Sequence, residues 1–361
     1  MAYHPNKPYD DLLPLPPDSI DIEHKTILKK AISASRALSE LNGAIINLPN
    51  PSIFIDSLNL QESQASSEIE NIITTQDALF KASVADLKIN DPIVKEVMHY
   101  KDALWFAVDS LKKRPILTTN LFISIVQIIK QNTSGIRNIP GTQLKNPATN
   151  QVVYTPPDGE ILIMEKLKEL ENFIHANDDL DPIIKLALIH YQFEAIHPFF
   201  DGNGRTGRII ILLYMMNSGL LELPALFLSK YIMEHKVEYY EKLRGVTENA
   251  NWQAWILYIL DMIEQTAIES RVRIRRIDKL MDTTNDAIRE LLPRVNSNEL
   301  VGVIFKLPYT KRQFLVNAGL GTYKTVGKYL LKLEEAGILK SEQVGKERLF
   351  LNVKLMDILK D

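Results

Sequence analysis

The chain has no cysteine among its 361 residues. Disulfides, thiol catalysis and cysteine-ligated zinc or iron–sulfur centres are therefore excluded, and a reducing compartment fits. Charge of neither sign is in excess: the net charge of -3 gives no global pull toward nucleic acid or membrane. Long apolar runs are missing. The densest, Ile209 to Met216, is far too short to span a bilayer. The start, Met1-Ala-Tyr-His-Pro-Asn-Lys-Pro8, has no basic-then-apolar signal pattern. The expected location is the cytoplasm, with no membrane partner. No cluster of His, Asp and Glu has zinc-site spacing, so no structural metal is expected. Internal repeats and low-complexity tracts are absent.

What is present is an ordinary folded composition, 45% hydrophobic and 24% charged, in a chain long enough for two or three domains. The first twenty or so residues, with Leu13-Pro-Leu-Pro-Pro17, form an extended arm. Helical periodicity then begins: Ile27, Leu28, Ala31, Ile32, Leu38 and Leu41 share a face, and Asn42-Gly43 is the expected stop. Further helices are expected at about Leu60–Ile73, Pro92–Leu111, Ile161–Ala176, Pro182–Ile196, Thr206–Asn217, Ser229–Ala250 and Trp252–Leu280. Between them, two β-prone pieces flank Asn146-Pro-Ala-Thr-Asn150, the pattern of a hairpin. The tail from about Asn296 reads as helix, turn, helix and hairpin. Lys311–Val316 is capped by Thr310, Thr322–Glu335 follows, and two short strands surround Val344–Glu347. This is a winged-helix pattern.

The segment His197-Pro-Phe-Phe-Asp-Gly-Asn-Gly-Arg-Thr-Gly-Arg208 carries the chemistry. Pro198 ends the preceding helix at His197, and Phe199 and Phe200 offer anchors. Gly202 and Gly204 free the backbone around Asn203. Successive N–H groups at the N-terminus of the following helix form an anion pocket. Arg205 and Arg208, three residues apart, can point together. Asp201 is a hard oxygen ligand suited to Mg²⁺ beside phosphates. His197 is the nearby group able to accept a proton near neutrality. No Gly-Lys-Ser/Thr follows the glycines, so this is not a Walker loop. The plainer alternative is a structural glycine turn with a core histidine.

The segment resembles the signature of the Fic family, His-x-Phe-x-Asp/Glu-Gly-Asn-Gly-Arg-x-x-Arg, and every specified position matches. The resemblance implies a protein adenylyltransferase, which moves AMP from ATP to a Tyr, Ser or Thr hydroxyl of a target protein or of itself. His197 would be the general base. Asp201 would hold Mg²⁺ across the α- and β-phosphates. Asn203 and the backbone from Gly202 to Gly204 would form the anion hole. Arg205 and Arg208 would grip the β- and γ-phosphates, with Thr206 and Gly207 in the same nucleotide-binding stretch.

Ser66-Ser-Glu-Ile-Glu-Asn71 resembles the family's inhibitory motif, Ser/Thr-x-x-x-Glu-Gly/Asn. Ser66 and Glu70 share a helix face. By this resemblance Glu70 pairs with Arg208 where the γ-phosphate should sit, and Asn71 completes the motif. The alternative is a solvated surface carboxylate. The hairpin around Val152-Val-Tyr-Thr-Pro156 resembles the family's flap, which pairs with an extended piece of the target. Tyr239 and Tyr240 look like the region lining adenine and ribose in relatives, with a core role equally open. His190, in an apolar helix, reads as a buried structural histidine.

The expected fold is mainly α. An N-terminal helical segment (1–111) carries the inhibitory helix at about 60–73, a Fic core with the hairpin flap spans 112–285, and a winged-helix domain spans 286–361. Between Lys306 and Lys360 eleven basic side chains face five acidic ones, and Lys324 and Lys328 lie on the would-be recognition helix. DNA binding and protein contact or homodimerisation are both open there. Other readings remain beside AMP transfer: a nucleotide-sensing DNA-binding regulator, a de-AMPylase in which Glu70 activates water, and use of another nucleotide or a phosphocholine donor.

Overall fold

The computed structural model describes residues 3–17, 21–48, 50–85, 90–146 and 149–360. The tip of the expected hairpin, Pro147 and Ala148, and the first two residues of the chain start, Met1 and Ala2, lie outside the described residues.

Helix α1 (Lys25–Ile46) and the 40-residue α11 (Trp252–Leu291) pack along each other and form the spine. Ile27, Ala31, Leu38 and Leu41 are buried as their spacing requires, whereas Leu28 and Ile32 are exposed. Asn42-Gly43 does not stop α1, because Ile45 one turn on is buried and keeps the helix docked. α11 likewise runs past Leu280, since Thr284 and Ile288 continue its buried face.

Helix α2 (Ser52–Ile69) starts earlier and ends sooner than its sequence pattern indicates. It is buried on nearly every side, so it lacks the one-sided apolar stripe that marks a surface helix. The buried Glu62 accepts from the Ser229 N–H (2.9 Å), the Ser229 hydroxyl and the Tyr100 hydroxyl (3.3 Å). The helix closes with Asn71 in the left-handed conformation (φ 63°), its N–H donating to Glu68 O (2.9 Å) and that of Ile72 to Ser67 O (3.0 Å). This turn satisfies carbonyls that the helix end leaves bare.

Then follow α3 (Gln76–Val84), α4 (Pro92–Lys113) and α5 (Thr119–Lys130). Asp91 caps α4 and Pro92 sits in its first turn, as expected. The hairpin forms from β1 (Leu144–Lys145) and β2 (Val152–Tyr154), antiparallel. The N-terminal arm is strapped to it: the Tyr9 N–H donates to Thr155 O (3.0 Å) and the Tyr3 hydroxyl to Val153 O (2.8 Å).

Helices α6 (Glu160–His175), α7 (Pro182–Ile196) and α8 (Asn203–Asn217) complete the central bundle. The stretch expected as one helix from Ser229 is two, α9 (Leu228–Glu234) and α10 (Lys236–Asn249), broken at His235. No helix of the described residues is long and apolar enough to cross a membrane.

The C-terminal unit has the helix, turn, helix and hairpin order read from the sequence. Its elements are α12 (Ser297–Phe305), β3 (Tyr309–Thr310), α13 (Arg312–Asn317), α14 (Tyr323–Glu335), β4 (Lys340–Val344), β5 (Glu347–Leu351) and α15 (Val353–Lys360), with strand order β3-β5-β4. Thr310 is not the cap of α13: it belongs to β3, and Lys311 takes the cap position. The unit docks beside α2 and α3. The Tyr309 hydroxyl donates to Asp77 (2.6 Å), Lys81 pairs with Glu342 (2.7 Å), and Gln61 of α2 donates to Leu359 O.

Candidate active site

Helices α7 and α8 meet at the loop from His197 to Gly202. α7 ends at His197, which turns left-handed (φ 48°) while its N–H still donates to Phe193 O (3.1 Å). Phe199 anchors the turn in the core, but Phe200 is 49% exposed and anchors nothing. α8 begins at Asn203, three residues before the expected Thr206, after Gly202 at φ 84°.

The Asn203 amide bonds to the backbone of its own loop. Its Oδ1 accepts from the Phe199 N–H (2.8 Å) and its Nδ2 donates to Phe199 O (2.7 Å), stitching the loop closed. The first-turn N–H groups of α8 have no acceptor within the helix. Thr206 is fully buried. Gly207 faces α7: a Cβ there would strike the Glu194 carboxyl and come within 3.2 Å of Phe193.

The two arginines are both buried but do not point together. Arg205 Nη1 donates to Glu96 (2.9 Å) on α4. Glu96 also takes Lys130 Nζ (3.0 Å) from α5, and Lys130 reaches Asp201 (2.6 Å). Burial opposes charge on Asp201, yet Lys130 and Arg205 hold its carboxyl below the ordinary range. The sequence reading missed Glu96 and Lys130. Lys130 did carry a signal, as the sole charge on α5. Glu96 carried none.

Arg208 faces the end of α2. Its Nε donates to Ser66 Oγ and its Nη2 to Ser66 O, both at 2.8 Å, and Nη2 lies 3.1 Å from Glu70 Oε1. The Glu70 carboxylate sits over Gly204, where a Cβ would collide with it. Ser66 and Glu70, one turn apart, thus hold Arg208 from the same helix face, and Glu70 covers the N-terminus of α8.

His197 is held neutral. Burial and the neighbouring Arg137 push its imidazole down to about 4, against a smaller upward pull from Glu70 and Asp201. At neutral pH it is free to accept a proton. Glu194, one turn earlier, is pushed up to about 7 by burial.

His190 is the structural residue it reads as. Its Nε2 lies 2.9 Å from the Tyr239 hydroxyl and its ring stacks on Trp255, with burial pushing it down to about 3. Tyr239 is therefore occupied in the core. Tyr240 is 44% exposed, beside Tyr239 and within electrostatic reach of Glu70 and Arg208, and it is the ring left open to a ligand.

Among the described residues no group of three or more His, Cys, Asp or Glu could hold a metal. The exposed Asp201 offers a single carboxylate. That fits Mg²⁺, which retains waters and shares phosphate oxygens, and does not fit a closed protein cage.

Three family models match segments of the chain. Residues 28–109 match the model described as Fic/DOC family N-terminal, 116–215 that of the Fic/DOC family, and 280–355 that of the protein adenylyltransferase SoFic-like C-terminal domain. The chain is 32% identical over 171 residues to protein adenylyltransferase fic-1 of Caenorhabditis elegans, covering 46% of this chain and 31% of that protein. It is 26% identical over 183 residues to a probable protein adenylyltransferase of Aquifex aeolicus, covering 50% and 54%. The chain thus spans about a third to a half of the length of these curated relatives. A crystal structure of a Fic family protein from Desulfovibrio desulfuricans G20 shares the fold, with TM-score 0.59 and 17% identity over 93% of this chain and 98% of that one.

Proposed function

The chain belongs to the Fic/DOC family, and we propose on that premise that it transfers AMP from ATP to a hydroxyl side chain of a protein. The observation that carries the reading is geometric: His197 ends α7 in the loop that opens α8, and the Glu70 carboxylate covers the N-terminus of α8. A site that seats one anion there can seat phosphates there.

In this reading His197 takes the proton from the attacking Tyr, Ser or Thr hydroxyl, worth roughly 10² to 10⁴-fold in rate. The freed oxygen attacks the α-phosphorus and pyrophosphate leaves. The first turn of α8 holds phosphate oxygens, and Arg208 takes the γ-phosphate once Glu70 yields. Arg205 braces Glu96 and the Lys130–Asp201 pair. Tyr240 offers a ring to the base. Asp201 would hold Mg²⁺, which supplies charge screening between the phosphates. Glu70 is the intramolecular brake. Cytoplasmic location and a division of the chain near residues 111 and 285 belong to the same reading.

Two other readings each have an observation in their favour. Glu70 is 36% exposed, so water can reach it and AMP removal is open to it. On α14, Tyr323, Lys324, Lys328 and Lys332 face solvent, which favours nucleic-acid contact by the winged helix, with a second copy of the chain as the other occupant.

Labelling with ATP radioactive at the α- or the γ-phosphate separates these activities. Glu70→Gly should label itself or an added protein from the α-phosphate only, and adding His197→Ala should abolish it. Label from the γ-phosphate, or from neither with ATP bound, would refute AMP transfer.

A further inference from the structure

Arg137 lies between α5 and β1, outside the family signature, and its side chain is only 1% exposed. A buried guanidinium normally faces a carboxylate, but here the nearest, Asp158, stands 3.7 Å away. The guanidinium hydrogens go instead to carbonyls. Nε donates to His197 O (2.8 Å), and Nη2 donates to Pro157 O and, more weakly, to Ile196 O (3.4 Å). The Arg137 backbone N–H donates to Pro198 O (2.9 Å).

These acceptors belong to two structures that have to meet. Ile196 and His197 end α7, where carbonyls have no donor within the helix. His197 is also left-handed, a conformation a residue with a Cβ adopts only when its surroundings fix it. Pro157 ends the segment leaving β2. The C-terminal residue of β2 is itself tied to the same helix end, the Tyr154 hydroxyl donating to Ala195 O (2.8 Å).

We propose that Arg137 is a positioning residue that locks the root of the hairpin to the backbone of His197, setting the spacing between the hairpin that would hold the target hydroxyl and the imidazole that would deprotonate it. This rests on the AMP-transfer reading. The same guanidinium acts electrostatically. The groups bearing on the imidazole are Arg137, Glu70 at the end of α2, Asp201 in the loop and the Glu194 backbone on its own helix. Arg137 is the cation among them, and it favours the neutral ring.

The test uses the full chain carrying Glu70→Gly, alone and with Arg137→Gln or Arg137→Lys. The readouts are the α-phosphate labelling rate at saturating ATP, the KM for ATP, and the protonation of His197 at pH 5.5 by proton NMR. Arg137→Gln should slow labelling roughly 10²-fold, leave the KM for ATP within about twofold, and raise His197 protonation toward that of an ordinary imidazole near 6.5. Arg137→Lys keeps the charge but not the fork. It should leave His197 unprotonated at pH 5.5 yet still slow labelling at least tenfold. Full labelling rates in Arg137→Lys would overturn the proposal even if Arg137→Gln does not fold. An unchanged imidazole in folded Arg137→Gln would overturn the electrostatic half. No labelling in the parent, with His197 protonation still rising in Arg137→Gln, would keep the Arg137–His197 link and sink AMP transfer.

Discussion

Replacing Glu70 is the sharpest test of the site, because its two consequences differ in size. The Glu70 carboxylate lies 3.1 Å from Arg208 over the N-terminus of α8. A γ-phosphate brought to Arg208 would come to roughly 4 Å from that carboxylate. Two unit charges at that spacing, with an effective dielectric constant near 20, repel by about 4 kcal/mol, which is about 10³-fold in rate. Stability should respond far less. Glu70 is 36% exposed, so its ion pair contributes at most about 1 kcal/mol, and glycine at that position costs roughly another 0.5–1 kcal/mol in chain entropy. Arg208 keeps both bonds to Ser66. Glu70→Gly should therefore raise α-phosphate labelling 10²- to 10³-fold while lowering the melting temperature by only a few degrees. Glu70→Gln, which keeps the volume and loses the charge, should fall between wild type and glycine. Equal labelling in all three proteins, with ATP bound in each, would refute the idea that this carboxylate obstructs the nucleotide.

Two further outcomes follow from the neighbours of the loop. Lys130 occupies Asp201 at 2.6 Å, so Lys130→Ala in the Glu70→Gly background should lower the Mg²⁺ concentration needed for half-maximal labelling several-fold. EDTA should abolish labelling, and labelling indifferent to EDTA would remove Asp201 from the role given to it. Glu194, pushed up to about 7, holds its proton in the folded chain to higher pH than in the unfolded one. Its contribution to stability is complete below about 4.5 and is lost as pH rises through 7. Glu194→Gln lacks that loss, so its melting temperature relative to wild type should rise between pH 5.5 and pH 8. A constant difference would show that Glu194 does not titrate in this range.

The loop was legible in the sequence because its parts are local: proline, two glycines, a histidine and the N-terminus of a helix within twelve residues. Ser66, Glu70 and Arg208 were legible for a different reason. One helical turn separates the first two, and the motif resemblance supplied the long-range partner. What could not be read is what other elements bring to the loop. Glu96, Lys130 and Arg137 come from three separate segments, and nothing in local spacing says that they converge on residues 197–205. The tie from the Asn203 amide to the Phe199 backbone was not read either, because an amide that closes a turn has no signature in one dimension. α2 began before its expected start because a helix buried all round shows no amphipathic period. Its end was misplaced because the pattern gives no weight to a left-handed asparagine.

The way α2 ends has an evolutionary consequence. The helix is fixed by Glu62 on Ser229, by Gln61 on Leu359 O and by Lys236 on Ile69 O (2.7 Å), and none of these pins involves residue 70. The side chain that covers the N-terminus of α8 is thus carried by the fold while contributing little to it. A descendant could exchange it in a single codon step and still inherit an intact protein. If Glu70 is the brake proposed above, selection can tune that brake separately from the ability to fold.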